Sequence, residues 1–402
     1  MKRIILLCAV LMAHFSHAQE GFPVNGVVDD RPGLYALTNA TIYVDYQTKI
    51  TDATLVIKDG KVVSVGQSVS VPAGAIVMDL DGKFIYPAIV EPYANYGLPE
   101  PKRAQGWGGK PQYDSKLDGP YGWNDAIKST YNAVDEFKKD SKAAASMRKI
   151  GVGAVNTFKN DGIMRGTSLF THLSDLPVQE SVASEQAAAH YSFDKGSSGQ
   201  QYPSSIMGVV ALLRQTYIDG KWYKTQEEQT NLSLKAWNDV QSLPQVFEAN
   251  GGKLRVLLAD QIADEFGARY IVKGNGDEYQ RLNEIKAANV PLILPVNFPD
   301  AYDVEDPVAA LDVSLADMKH WEMAPANAKM LADAGVEFAF TTSGLKKSDE
   351  YWDALRKTVK YGLTESQALK AVTYTPAKYY NMSGSVGALK KGMSANFFIS
   401  SD

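Results

Sequence analysis

Histidine and cysteine are scarce in this 402-residue chain, which has five histidines and a single cysteine, Cys8. One cysteine excludes an internal disulfide and any two-thiol metal or redox motif. Gly-x-Ser-x-Gly, a phosphate-binding glycine loop and His-Glu-x-x-His are all missing, which removes the common signatures of serine hydrolases, nucleotide binders and metalloproteases. No basic cluster exists: 41 Lys and Arg stand against 46 Asp and Glu, so neither nucleic acid nor an anionic membrane is an expected partner. No apolar run is long enough to span a bilayer.

What is present begins with a targeting segment. Lys2 and Arg3 precede the short apolar stretch Ile4 to Phe15, and Ser16-His17-Ala18 forms a small-x-small site with cleavage expected after Ala18. The expectation is export to the periplasm or beyond. Residues 1–18 carry Cys8, His14 and His17, so the chain that follows has no cysteine and three histidines, His172, His190 and His320. It holds 39 basic residues against 46 acidic, a net charge of −7.

Residues 34–81 read as short antiparallel strands rich in β-branched residues. Asp59-Gly60 joins Thr54–Ile57 to Lys61–Val65 as a tight hairpin, because this pair supplies the positive φ angles such turns need. From about Tyr86 short apolar strands alternate with helical stretches, the pattern of parallel βα units. The spacing predicts a long helix over Ala126–Lys149 and a buried strand over Gly151–Thr157. Strand-like runs recur at Lys253–Ala259, Ala268–Lys273, Val290–Leu294 and Glu337–Thr342. Residues 96–123 and 194–205 read as loops. Thr364 and Gln367 form a capping box that opens a helical stretch over 362–381, and strands flank Gly384–Gly392.

Three stretches carry a family resemblance: 55–97, with LVIKDGKVVSVGQ and MDLDGKFIYPAIVEPYANYG; 263–295; and 362–399, GLTESQALKAVTYTPAKYYNMSGSVGALKKGMSANFFI. Together they resemble the amidohydrolase superfamily, particularly its imidazolonepropionase-like branch. The resemblance implies an α/β fold, a TIM-like (β/α) barrel with a small β-sandwich formed by both chain ends. It divides the chain into a signal peptide (1–18), a composite sandwich (19–85 with 384–402) and a barrel (86–383). It also implies that chemistry lies at the C-terminal ends of barrel strands. Active members hold one or two divalent ions, zinc among them, on a His-x-His after the first strand, histidines after the fifth and sixth, and an Asp after the eighth. The metal activates a bound water.

At those positions this chain has Tyr93-Ala94-Asn95 in place of His-x-His, with Glu91 before it. Leu258 takes the fifth-strand position and Lys273, or the adjacent Gly274, the sixth. Ser343, or Thr342 one residue away, takes the eighth. His172, His190 and His320 fall outside convincing strand ends. A phenol and an amide are poor zinc ligands at neutral pH. The expectation is an exported amidohydrolase-family protein without metal ligands and with no cofactor, a non-catalytic binding or scaffolding domain for an active amidohydrolase domain in the same or another chain. The alternatives are a hydrolase of C–N bonds with an atypical site around Glu91, Asp260 and Asp264, and a plain ligand-binding module. Aromatics at Trp107, Trp123 and Trp222 are candidate cleft linings, with packing the commoner role. Relatives continue past the position of Ile399, so further sandwich strands are expected beyond Asp402.

Overall fold

The computed structural model describes residues 33–102, 111–226 and 228–401. The expected signal segment and Trp107 lie outside these residues.

Six strands from both ends of the chain form one sheet. They are β1 (Leu34–Tyr43), β2 (Lys49–Lys58), β3 (Lys61–Gly66), β4 (Ile76–Asp79), β5 (Phe84–Pro87) and β14 (Phe397–Ser400). Asp59 and Gly60 turn β2 into β3 at φ 48° and 72°, as the sequence requires. Asn39, at φ 53°, sits in an irregularity of β1. Before it β1 pairs in parallel with β4, and after it with β5, so one strand serves two neighbours on the same edge. β14 then pairs antiparallel with β5, with Phe398 opposite Tyr86. The two chain ends therefore meet. They meet in one hydrogen-bonded sheet of order β14-β5-β1-β2-β3 with β4 also on β1. One face buries Leu37, Ile42, Leu55, Ile85 and Leu389. Elsewhere the aromatic series Tyr43, Tyr86 and Phe398 stacks at 4.5 and 5.3 Å, and Phe398 meets Trp352 edge-on at 5.5 Å. That contact fastens the sheet to the helix Glu350–Lys360.

The second sheet runs in chain order: β6 (Ile89–Ala94), β7 (Val152–Thr157), β8 (Met164–His172), β9 (Val182–Ser192), β10 (Gln245–Glu248), β11 (Tyr270–Lys273), β12 (Leu292–Pro295) and β13 (Phe338–Thr341). Seven strands run the same way. β8 runs against its neighbours, forming antiparallel ladders with β7 and β9. Helices pack on the outer face through Phe247, Val272, Leu292 and Phe340. The alternate residues Ala154, Ala188, Val246, Ile271, Ile293 and Ala339 line the inner face with Tyr379, Tyr380 and Val386. The outermost strands β6 and β13 lie beside each other without a backbone ladder; side chains join them.

Three expectations are corrected. The long helix over Ala126–Lys149 is replaced by two short ones, Ala133–Glu136 and Ser141–Lys149. The segment before them is drawn onto β8 instead: Lys128 N–H donates to Met164 O at 2.8 Å, and Thr167 N–H to Tyr131 O at 2.9 Å. Asp140 then opens the second helix by accepting from the Lys142 and Ala143 amides. The run Lys253–Ala259 is helical, part of Lys253–Phe266, which starts after Gly251-Gly252 and ends at Gly267 with φ 70°. Its buried Val256, Ala259, Ile262 and Ala263 follow a helical period, which a shorter window mistakes for a strand. His172 and His190 also lie in strands, β8 and β9 respectively.

Gly166 supports the reversed strand. Its φ is 76°, and a Cβ there would stand 2.0 Å from the Tyr131 carbonyl oxygen. Gly60 has a similar φ but open space around it. Gly166→Ala should cost at least about 2 kcal/mol in urea unfolding, and Gly60→Ala about 1 kcal/mol. Equal costs would show that the close approach of β8 to Tyr131 is not a constraint.

Candidate functional site

The pleat builds the site. Along each strand successive side chains alternate faces, so the residue two beyond an inner apolar one also faces inward. Above Ala154 stands Asn156, above Ala188 His190, above Val246 Glu248, above Ile271 Lys273, and above Ala339 Thr341. A buried apolar layer is thus topped by a polar layer at the C-terminal ends of the parallel strands.

Glu248 is the centre of that layer. Arg165, entering from β8, donates from Nη2 to Glu248 Oε2 at 2.7 Å, and Lys273 Nζ donates to Oε1 at 3.1 Å. Arg165 also donates from Nη1 to the Tyr93 hydroxyl at 2.8 Å and from Nε to Gly162 O at 3.2 Å. Its guanidinium lies 5.8 Å from the Phe158 ring centroid, and the Lys273 ammonium lies 5.0 Å from that of Tyr93. All four members are buried or nearly so. Burial pushes the Glu248 carboxyl up, but Arg165 and then Lys273 outweigh it and hold it at about 2. Burial drives the Tyr93 phenol well above its ordinary range, so it stays protonated. His190 lies beside this group. Phe158 stacks on it at 3.8 Å, and the Asn156 amide lies 3.3 Å from its Nε2. Burial first, and Arg165 second, depress its pKa, so the imidazole is neutral.

Glu91 closes the seam between β6 and β13. Its Oε1 accepts from Thr341 Oγ1 at 2.5 Å and from the Tyr93 amide at 2.9 Å. Its Oε2 accepts from the Thr342 amide at 2.8 Å and Thr342 Oγ1 at 2.7 Å. Burial raises its pKa against the pull of these four donors. Strand edges that share no ladder are joined through this one carboxylate.

A cleft of 1040 Å³ opens above the polar layer, lined by Tyr93, Asn95, Tyr96, Phe158, Thr342 and Ser343. The structure therefore gathers Tyr93, Asn95 and Ser343 at one mouth, with Glu91 and Lys273 at strand level beneath. Asn95 is engaged with Glu100, and the Ser343 amide donates to Thr341 Oγ1 at 3.0 Å. Leu258 does not join them: it lies on the helix Lys253–Phe266 and packs against the outer core. Glu248 ends the strand preceding the one that carries Lys273, and it occupies the position the sequence reading assigned to Leu258. Asp260 and Asp264 stand one turn apart on that same helix, so they do not assemble with Glu91. Burial, with Asp264 adding repulsion, raises Asp260 to about 6. Two members of the site went unread: Glu248, whose signal is a carboxylate closing the short run Gln245–Phe247 before Asn250-Gly251-Gly252, and Arg165, a lone charge within Ile163–His172.

These residues do not fit a zinc ion. The two buried carboxylates at the strand ends are both committed, Glu91 to four donors and Glu248 to two cations, while Glu100 at the cleft accepts from Asn95. A divalent ion beside Glu248 would meet a guanidinium and an ammonium within hydrogen-bond distance of the same carboxylate. Among the described residues no three His, Cys, Asp or Glu side chains gather as a ligand set.

Comparisons with known proteins agree on the fold. Residues 262–401 match the model of the Amidohydrolase family, a span that includes β11 to β14. The structure is similar to an amidohydrolase from Thermotoga maritima, with a TM-score of 0.69 at 20% identity over 92% of this chain and 94% of that one. It is also similar to a β-aspartyl dipeptidase from Fervidobacterium islandicum AW-1, with a TM-score of 0.50 at 13% identity over 92% of each chain. At these identities the likeness concerns the fold. No curated protein sequence matches the chain.

The ion cluster sets an acid limit on stability. The folded-state pKa of Glu248, about 2, lies below its ordinary 4.5, so its contribution is complete above pH 4.5 and is lost as the pH falls through 2. The contribution is on the order of 3 kcal/mol. Glu248→Gln should cost about 3–5 kcal/mol at pH 7, because it leaves two buried cations without a counter-charge. It should also flatten the loss of stability between pH 4.5 and 2, read from denaturant midpoints across that range. An unchanged acid limb in the variant would contradict this assignment.

Proposed function

We propose that this chain, a member of the amidohydrolase superfamily by its fold and by the family model over residues 262–401, works by binding rather than by metal-assisted hydrolysis. The observation that carries the reading is the Arg165–Glu248–Lys273 cluster at the strand ends, where active members of the superfamily hold divalent ions. The cluster is held by its own groups: one buried carboxylate balances part of the charge of two cations, and a phenol and a backbone carbonyl accept two further guanidinium N–H groups. Both oxygens of Glu248 are engaged by cations within it. Glu91, the remaining acid at the strand ends, holds the seam.

What the mouth offers instead is a cleft of the polar groups Asn95, Thr342 and Ser343 and the charged Glu100 and Lys102, beside the aromatic walls Tyr93, Tyr96 and Phe158. Such a lining suits recognition by hydrogen bonds and stacking. In this reading the protein is exported under the direction of residues 1–18 and serves as a binding or scaffolding partner of an active amidohydrolase domain, in the same or another chain. The bonds of Glu91 across the seam between β6 and β13 support a preformed mouth.

Elemental analysis of the purified protein, paired with assays on amide and cyclic-amide substrates, tests the reading. No stoichiometric zinc and no hydrolysis above background are expected. Tyr93→His with Asn95→His should recover neither, because Arg165 and Lys273 would still occupy the neighbouring positions. About one tightly held zinc per chain, with chelator-sensitive hydrolysis, would overturn it.

A further inference from the structure

The connection that leaves β12 carries an apolar face into solvent. It contains the helices Pro307–Leu311 and Leu315–Met323. Leu311 is 85% exposed, Leu315 74% and Val308 70%, and Val304, Met318 and Trp321 are exposed beside them. On the second helix the ring of His320 turns the other way, parallel to that of Tyr279 at 6.1 Å. Helical spacing places Leu315 and Met318 well over a quarter-turn from His320, so the helix rests on Tyr279 and directs its apolar residues outward. Local structure does not account for this exposure. Each helix is already capped, by Asp306 onto the Val308 amide and by Ser314 onto the Asp317 amide, and caps need no apolar neighbours in water. Together the six side chains present on the order of several hundred Å² of apolar surface, the range at which exposed patches mark contact sites.

The charges along this stretch are mostly acidic. Asp303, Glu305, Asp306, Asp312, Asp317 and Glu322 are all exposed, whereas the lone lysine of the stretch, Lys319, is spent on Glu322 at 2.9 Å. A second copy of the same face would bring acid against acid, which disfavours self-association. The connection that carries this stretch leaves β12 close to the cleft. Asp300 pairs with Lys346 at 2.7 Å, and Asn297 lies against Gly344, a lining residue of the cleft.

We propose that residues 302–322 form a docking surface at the mouth of the barrel for a protein partner with an apolar face rimmed by Lys or Arg. This deepens the binding function proposed above and names the kind of partner. Apolar burial supplies the affinity, and the acidic rim supplies selection and speed of encounter.

The test uses the full chain and two fluorescent model helices, one of Leu and Lys and one of Leu and Glu with the same apolar spacing. Anisotropy should show that the Leu/Lys helix binds and that its affinity falls as salt rises, while the Leu/Glu helix does not bind. Leu311→Ser with Leu315→Ser should weaken binding at least about tenfold. Asp312→Lys with Asp317→Lys should weaken binding of the Leu/Lys helix and its salt dependence. All four positions are exposed, and unchanged thermal melts would confirm that the variants fold. Equal binding of both helices, binding indifferent to both double variants, or concentration-dependent dimerisation lost in the Leu→Ser variant would overturn the proposal. Zinc-dependent hydrolysis alongside selective Leu/Lys binding would defeat the non-catalytic reading and leave the docking surface standing.

Discussion

A carboxylate cannot remain ionised inside a protein unless charge and hydrogen bonds replace the water it loses. Glu248 meets that condition with a guanidinium at 2.7 Å and an ammonium at 3.1 Å, one from β8 and one from β11. The arrangement of the mouth follows from this requirement. Arg165 must enter from a strand that runs against the rest, and it fixes the Tyr93 hydroxyl as it does so. Lys273 must lie over the Tyr93 ring. The three strands β8, β10 and β11 and the end of β6 are thereby tied at one point. A metal ion in this fold would tie the same strand ends through external charge; here the charges belong to the chain.

The second tie is Glu91. β6 and β13 share no ladder, and a seam of that kind would leave strand edges unpaired. One carboxylate accepting from Thr341, Thr342 and the Tyr93 amide joins them through side chains. Both ties pass through Tyr93, whose amide serves Glu91 and whose hydroxyl serves Arg165. Tyr93 thus has a structural task at each end.

Much of the fold was legible because its signals are local. The Asp59-Gly60 hairpin, the capping box at Thr364 and Gln367 and the meeting of the chain ends rest on turn chemistry and short motifs, and each is present in the structure. The site was legible in part. Tyr93, Asn95 and Ser343 share the cleft because their motifs lie at strand ends, where short runs are easily placed. The fifth-strand position was not legible. The strand Gln245–Glu248 has four residues, and the longer apolar run after Gly252 resembled a strand more closely while forming a helix. Arg165 was hidden for a different reason: its partner Glu248 lies 83 residues away, and no local pattern reports a contact at that distance. His190 lies outside any strand end that the sequence marks; the pleat and Phe158 bury it in the polar layer.

The central claim is that protein cations occupy the place of a metal at the strand ends. A crystal of the protein soaked with zinc, with anomalous data collected on both sides of the zinc edge, tests it most directly. The account expects no anomalous peak between Tyr93, Glu248 and Lys273, with Arg165 and Lys273 still on the two oxygens of Glu248. A strong peak there, with Glu248 or Glu91 turned toward it and Lys273 displaced, would contradict it.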